Sequence, residues 1–232
     1  MTLQQAVASA QTRGKVLRGF LVACLATDAV AIPAGVLQML FLSRAASGAE
    51  ITDAQANAND LFYSAAGIAQ MIVALPTIVI WLLWMHRSYR ALSFLGTGAT
   101  DQTPGWAVGY WFIPVVNLWK PYQLTAEMWR RNASGNQSAE GHTPPLLLAW
   151  WIVWILSGVL GRAVLTQSRY AETIPQLQSL TLTGLLGDSV NIIASVLAFF
   201  VVLGIDRLQR DAAVAQTSFP AAPLADPDGF IV

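Results

Sequence analysis

Four stretches of this chain are each long and apolar enough to cross a bilayer, and they leave few folds open. They cover residues 19–42, 61–85, 146–165 and 185–205. A hydrocarbon core of about 30 Å takes roughly 20 helical residues. Lipid offers no partners for backbone N–H and C=O groups, so each stretch must be helical. The expected fold is all-α: a polytopic integral membrane protein with four transmembrane helices. Only 11% of the residues are charged, against roughly 25% in soluble domains. Pro33 and Pro76 fall inside the first two spans and are expected to kink them.

Charge sets the expected orientation. With four spans, both termini and the central loop share one side. That side holds Arg13, Lys15, Arg18, Arg87, Arg90, Lys120, Arg130, Arg131, Arg207 and Arg210, while the other holds Arg44, Arg162 and Arg169. The asymmetry follows the positive-inside rule and predicts a cell-membrane protein with both termini cytoplasmic. Residues 1–18 then form a cytoplasmic segment and 19–210 the membrane domain. The Ala- and Pro-rich stretch 212–232 reads as a disordered cytoplasmic tail. The Ala-rich, polar stretch 43–60 reads as a short external loop. A cleaved signal peptide ending near Ala29-Val30-Ala31 is the rival reading of the N-terminus, but apolar character runs on to Leu42.

Between the second and third spans lies PGWAVGYWFIPVVNLWKPYQ, residues 104–123. It is apolar and aromatic, yet Pro114 and Pro121 break it. We expect a Pro-broken interfacial or re-entrant element over 104–131. It should hold a short helix, a bend near 117–121 and a surface helix started by Pro121, with Glu127 and Arg131 as i, i+4 partners. A fifth crossing would put Arg130, Arg131, Arg207 and Arg210 outside, against the charge rule. Trp81, Trp84, Trp150, Trp151 and Trp154 gather near one end of the second and third spans, where an aromatic belt is expected. Arg87 and Arg90, at i, i+3, share a helix face. The candidate binding residues are Arg87, Arg90, Trp106, Trp111, Asn117, Trp119, Lys120, Tyr122 and Gln123, with an anionic lipid or a protein as partner.

Asp28 is the acidic residue placed deepest in a span, and Thr77 and Ser157 are expected at similar depth. Two readings stand: a proton or cation relay, or a neutral carboxyl hydrogen-bonded between helices. Arg162 and Asp188, each near the external end of its span, predict a structural ion pair; the alternative is separate snorkelling to the headgroups. The lone Cys24 cannot form an intramolecular disulfide, and it makes no zinc site with His86 and His142. No metal, cofactor or catalytic constellation is expected, because the phosphate-binding, nucleotide-binding, hydrolase and zinc-protease motifs are absent. Thirteen basic and thirteen acidic residues balance, which gives no reason to expect a nucleic-acid partner. The bilayer itself is the expected partner. The first functional expectation is a non-enzymatic membrane module that binds through its central motif. The alternative is a small homo-oligomeric transporter or channel in which Asp28, Gln70 and Asn191 line a polar path and the broken block is a gate. An intramembrane enzyme ranks last.

Arg87-Ser-Tyr-Arg90 behind a Trp-rich span, then Pro104-Gly-Trp-Ala-Val-Gly-Tyr-Trp-Phe-Ile-Pro114, then Asn117-Leu-Trp-Lys-Pro-Tyr-Gln123, with Trp129 following, form a long and specific pattern. It resembles the bacterial membrane family called domain of unknown function 4328, over roughly residues 19–210. The resemblance implies a bacterial, multi-span inner-membrane protein with no established activity. The family pattern often has Arg before the second proline, where this chain has Lys120. It also often has Asn near the basic motif, where this chain has Arg90-Ala91. Lysine at 120 offers a point charge in place of a bidentate guanidinium.

Overall fold

The computed structural model describes residues 2–95, 100, 102–134 and 142–218. Among these there are helices and no strands. The helices are α1 (Leu3–Ala46), α2 (Asp53–Leu92), α3 (Pro104–Gly109), α4 (Lys120–Ser134), α5 (Pro145–Gln167) and α6 (Ile174–Ser218). Two 3-10 turns, Tyr110–Phe112 and Val116–Leu118, connect α3 to α4. Helices α1, α2, α5 and α6 are long and apolar enough to cross a membrane, and the chain is a multi-pass membrane protein.

Local sequence explains where the long helices begin and end. Thr2 and Thr52 each accept a hydrogen bond from the backbone of a glutamine three residues on, Gln5 and Gln55. Each glutamine side chain answers back to the threonine N–H, forming a capping box. After α1 the chain turns at Gly48, with φ 78°, a conformation glycine adopts without a Cβ clash. The link between α1 and α2 is therefore shorter than the expected loop over 43–60. Both helices run through their prolines, Pro33 and Pro76, without interruption.

At 1.5 Å per residue, α1, α2 and α6 are about 60–68 Å long, roughly twice the hydrocarbon thickness, whereas α5 is about 35 Å. Much of the excess lies at the end where α1 starts and α6 finishes, here called the terminal end. Ala6, Val7 and Ala91 are buried there together, with Leu3, Phe94 and Ala213 packed around them. Gln216 donates to the Leu95 carbonyl. Two expected boundaries move accordingly. Residues 3–18 are the opening turns of α1 rather than a separate segment. Residues 212–218 continue α6 instead of starting a disordered tail, while 219–232 lie outside the described residues.

The long helices form an open ring. α1 packs against α2 and α6, and α6 also packs against α5. Small residues permit the close approaches: Ala31, Ala34 and Ala66 are buried together, and a Cβ on Gly35 would overlap the Leu185 side chain. α2 and α5 do not pack along their length. They meet at the terminal end through Trp81 and Trp150, whose ring centroids are 5.3 Å apart. Large apolar side chains such as Leu61, Ile72, Val159 and Leu182 are left exposed on the surface that lipid would cover.

The expected aromatic belt is corrected by the same geometry. Trp81, Trp84, Trp150 and Trp151 are buried in the main core. Trp81 on α2 meets Trp150 on α5, Trp84 turns toward α6, and Trp111 from the segment after α3 packs against Trp81, Trp151 and Trp154.

Candidate functional site

The gap between α2 and α5 continues inward as a cavity of about 880 Å³ that runs along all four long helices. Its lining includes Asp28, Gln70, Thr77, Ser157, Asp188 and Asn191. Among the described residues, no Lys, Arg or His side chain lines it. Met71 and Ile78 of α2 belong to this lining and are more than half exposed, so the cavity opens sideways through the gap.

Three elements meet at its polar centre. Gln70 Nε2 on α2 donates to Asp28 Oδ1 on α1 and to Asp188 Oδ1 on α6, both at 2.8 Å. One amide therefore holds two carboxylates side by side, with Asp28 only 5% exposed. Ser157 on α5 donates to Asn191 Oδ1 on α6. Thr77 meets Cys24 at 3.4 Å and donates to its own helix at the Val73 carbonyl. Asp28, Thr77 and Ser157 thus share one cavity, but the partner of Asp28 is Gln70. Thr77 lies seven residues along α2 from Gln70, about 10 Å toward the terminal end. Among the described residues, no group of three or more His, Cys, Asp or Glu side chains forms a metal-binding cluster.

The expected ion pair between Arg162 and Asp188 is absent. α6 begins at Ile174, well before residue 185, so Asp188 lies about 21 Å along that helix. Arg162 is only five residues from the end of α5, which puts it nearer the far end of the bundle. Its side chain is exposed, and Asp188 pairs with Gln70 instead.

Tryptophans close the cavity at the terminal end. Trp111, from the turn after α3, meets Trp81 on α2 edge-on at 5.9 Å and Trp154 on α5 at 5.3 Å, interplanar angle 89°. Trp151 stacks on Trp154 at 4.8 Å, and its indole N–H donates to the Leu118 carbonyl at 3.0 Å. Such ring pairs contribute about 0.5–1.5 kcal/mol each beyond their buried area. The segment following α3 is therefore a plug wedged between α2 and α5. Its side chains Phe112, Val115, Leu118 and Trp119 remain exposed, as does Trp106 of α3.

Beneath the plug, the long helices are tied at one carboxylate. Asp206 on α6, 2% exposed, accepts from Arg18 on α1 at 2.8 Å and from the Trp84 indole on α2 at 3.1 Å. Sequence reasoning missed Asp206 because the fourth span was ended at residue 205. The available signal was one acidic residue at that margin with Arg18 at the margin of the first span. α4, expected on the surface, is instead half-buried against α6. Met128 is buried, and a Cβ on Gly204 would overlap the Trp129 indole. The expected Glu127–Arg131 pair forms at 2.7 Å, and Tyr89 donates to the same carboxylate.

The nine candidate binding residues do not form one groove. Trp111 and Asn117 line the large cavity. Lys120, Tyr122 and Gln123 line a separate pocket of about 340 Å³ with Gln102, Glu127 and Arg130. Lys120 Nζ also sits 5.8 Å from the centre of the Tyr110 ring, and Trp106 stacks on Tyr110. Arg87 and Arg90 are half-buried and line neither cavity.

The plug and α4 are built from the segments that carried the family resemblance, and a family model for a domain of unknown function, DUF4328, matches residues 47–207. The chain belongs to the DUF4328 family. The DUF4328 match covers Gln70, Trp84, the whole plug, Asp188 and Asp206. It starts after α1, so Arg18 and Asp28 lie outside it. None of the curated proteins compared matches the chain. No solved structure matches it either.

Proposed function

We propose that this DUF4328 protein is a non-enzymatic membrane module that takes an amphiphilic molecule from the bilayer through the gap between α2 and α5. The cavity carries this reading: about 880 Å³, open sideways, with its polar groups gathered around Gln70. Volumes of about 300–1,000 Å³ suit ligands of small-molecule size, and a few convergent polar groups in an apolar wall fix their orientation. The plug is the inner wall of that site, and exposed Trp119, with Trp106 of the adjoining α3, anchors it among headgroups. Lys120 adds attraction to anionic lipid at the same surface. Charge asymmetry supports a cytoplasmic location for the terminal end, with both chain termini there, in a bacterial inner membrane.

A photoreactive residue in place of Ser157, in the full chain in its native membrane, tests the reading. A small-molecule adduct distinct from those captured at lipid-facing Val159 is expected. The same bulk-lipid adducts at both positions would overturn it.

One observation favours transport as a second reading. Polar side chains continue from the Asp28–Gln70–Asp188 centre through the Ser157–Asn191 pair to Asn117 of the plug. In that case Trp111 gates the path, and homo-oligomers complete it.

A further inference from the structure

Asp28 and Asp188 each give one oxygen to Gln70. Among the described residues, the second oxygen of each carboxylate accepts no hydrogen bond. Asp28 is 95% buried by its 5% exposure, and it lines the cavity. Carboxylates at this depth are costly without a partner charge, yet no cationic side chain is among the described residues of the lining. Toward the terminal end the lining is aromatic. Trp81, 9% exposed, lines the cavity there, while its indole N–H is sealed within the protein and has no acceptor among the described residues. Trp111 is in the same position. Trp81 is eleven residues from Gln70, roughly 16 Å along α2.

We propose that the guest of this cavity is a cationic amphiphile whose amine sits between Asp28 and Asp188 and whose body lies along the tryptophans toward Trp81. This rests on the cavity being a binding site, as argued above, and adds the chemical class of the ligand. An ammonium group supplies donors to the two free carboxylate oxygens and offsets their charge. The aromatic walls suit an apolar body and tolerate a cation at their faces. A bare metal ion does not fit the same facts, because it would leave most of an 880 Å³ cavity empty.

The test uses the full chain in phosphatidylcholine nanodiscs and its own tryptophan fluorescence. The probes are a brominated long-chain alkylamine and the brominated alcohol of equal length, compared at equal bilayer content. Saturable quenching by the amine is expected at about tenfold lower concentration than by the alcohol. Replacing both carboxylates, Asp28→Asn with Asp188→Asn, should bring the amine midpoint to that of the alcohol without moving the alcohol midpoint. Saturable quenching with equal midpoints in the unaltered protein would overturn the cationic class while leaving the cavity reading intact. An amine preference that survives in the double variant would overturn it as well. Absence of saturable quenching by either probe would remove both readings.

Discussion

Gly14 on α1 faces the carboxylate of Asp206 on α6 so closely that a Cβ built on Gly14 would overlap it. The contact explains how an acidic side chain is buried between α1 and α6 while still reaching Arg18 and Trp84.

It also yields a paired prediction. Gly14→Ala should destabilise the protein by about 1–3 kcal/mol, since overpacking forces the carboxylate off its partners. Gly19→Ala has nothing within 4 Å of the new methyl group and should be neutral or slightly stabilising. Thermal unfolding of both variants in the same micelles checks the contrast, and equal behaviour would contradict it.

Removing the carboxylate should be worse. Asp206→Ala leaves the Arg18 guanidinium and the Trp84 indole without their acceptor, and stranding a buried charge costs about 3–5 kcal/mol. The double change Arg18→Met with Asp206→Leu should recover much of that loss, because no charge is then stranded. A double-mutant cycle on unfolding free energies measures the coupling.

Gln70 donates to two carboxylates at once, and its replacement by leucine should cost about 0.6–2 kcal/mol, in the range of intramembrane hydrogen bonds. Gln70→Glu should cost more, because it places a third carboxyl beside two others. The order, glutamine above leucine above glutamate, is read from melting temperatures at neutral pH.

Cys24 offers a native probe of the plug. It lines the cavity, with Trp111 covering the terminal end. Trp111→Ala should therefore speed Cys24 labelling by a water-soluble maleimide, and Trp111→Phe should change it much less. Labelling at the wild-type rate in Trp111→Ala would show that the indole is not the barrier.

The sequence was most informative about long segments and least about their ends and partners. Four apolar stretches and a proline-broken block are visible because lipid imposes helical length and hydropathy on any spanning segment. Helix bounds were less visible: residues 3–18, 53–60 and 174–184 are polar or mixed, yet they are helical because neighbouring helices give them surfaces to pack on. Depth errors followed. A span starting at 185 puts Asp188 at the external edge beside Arg162, whereas α6 begins at Ile174 and Asp188 belongs with Gln70. The tryptophans were read as a belt because composition cannot tell a lipid-facing indole from one that faces another helix. Asp206 was overlooked for a related reason, since its importance comes from Arg18, 188 residues away.

The match to the family model begins at residue 47, but the folded unit does not. A fragment cut at that boundary would keep Asp188 and Asp206 and lose Arg18, Asp28 and the whole surface that α1 lays against α2 and α6. It would present Asp206 without its guanidinium partner and turn the walled cavity into an open trough. Such a fragment should insert in a membrane on hydropathy alone and still fail to settle into one structure. The unit that is conveniently named and the unit that can fold independently are different lengths of the same chain.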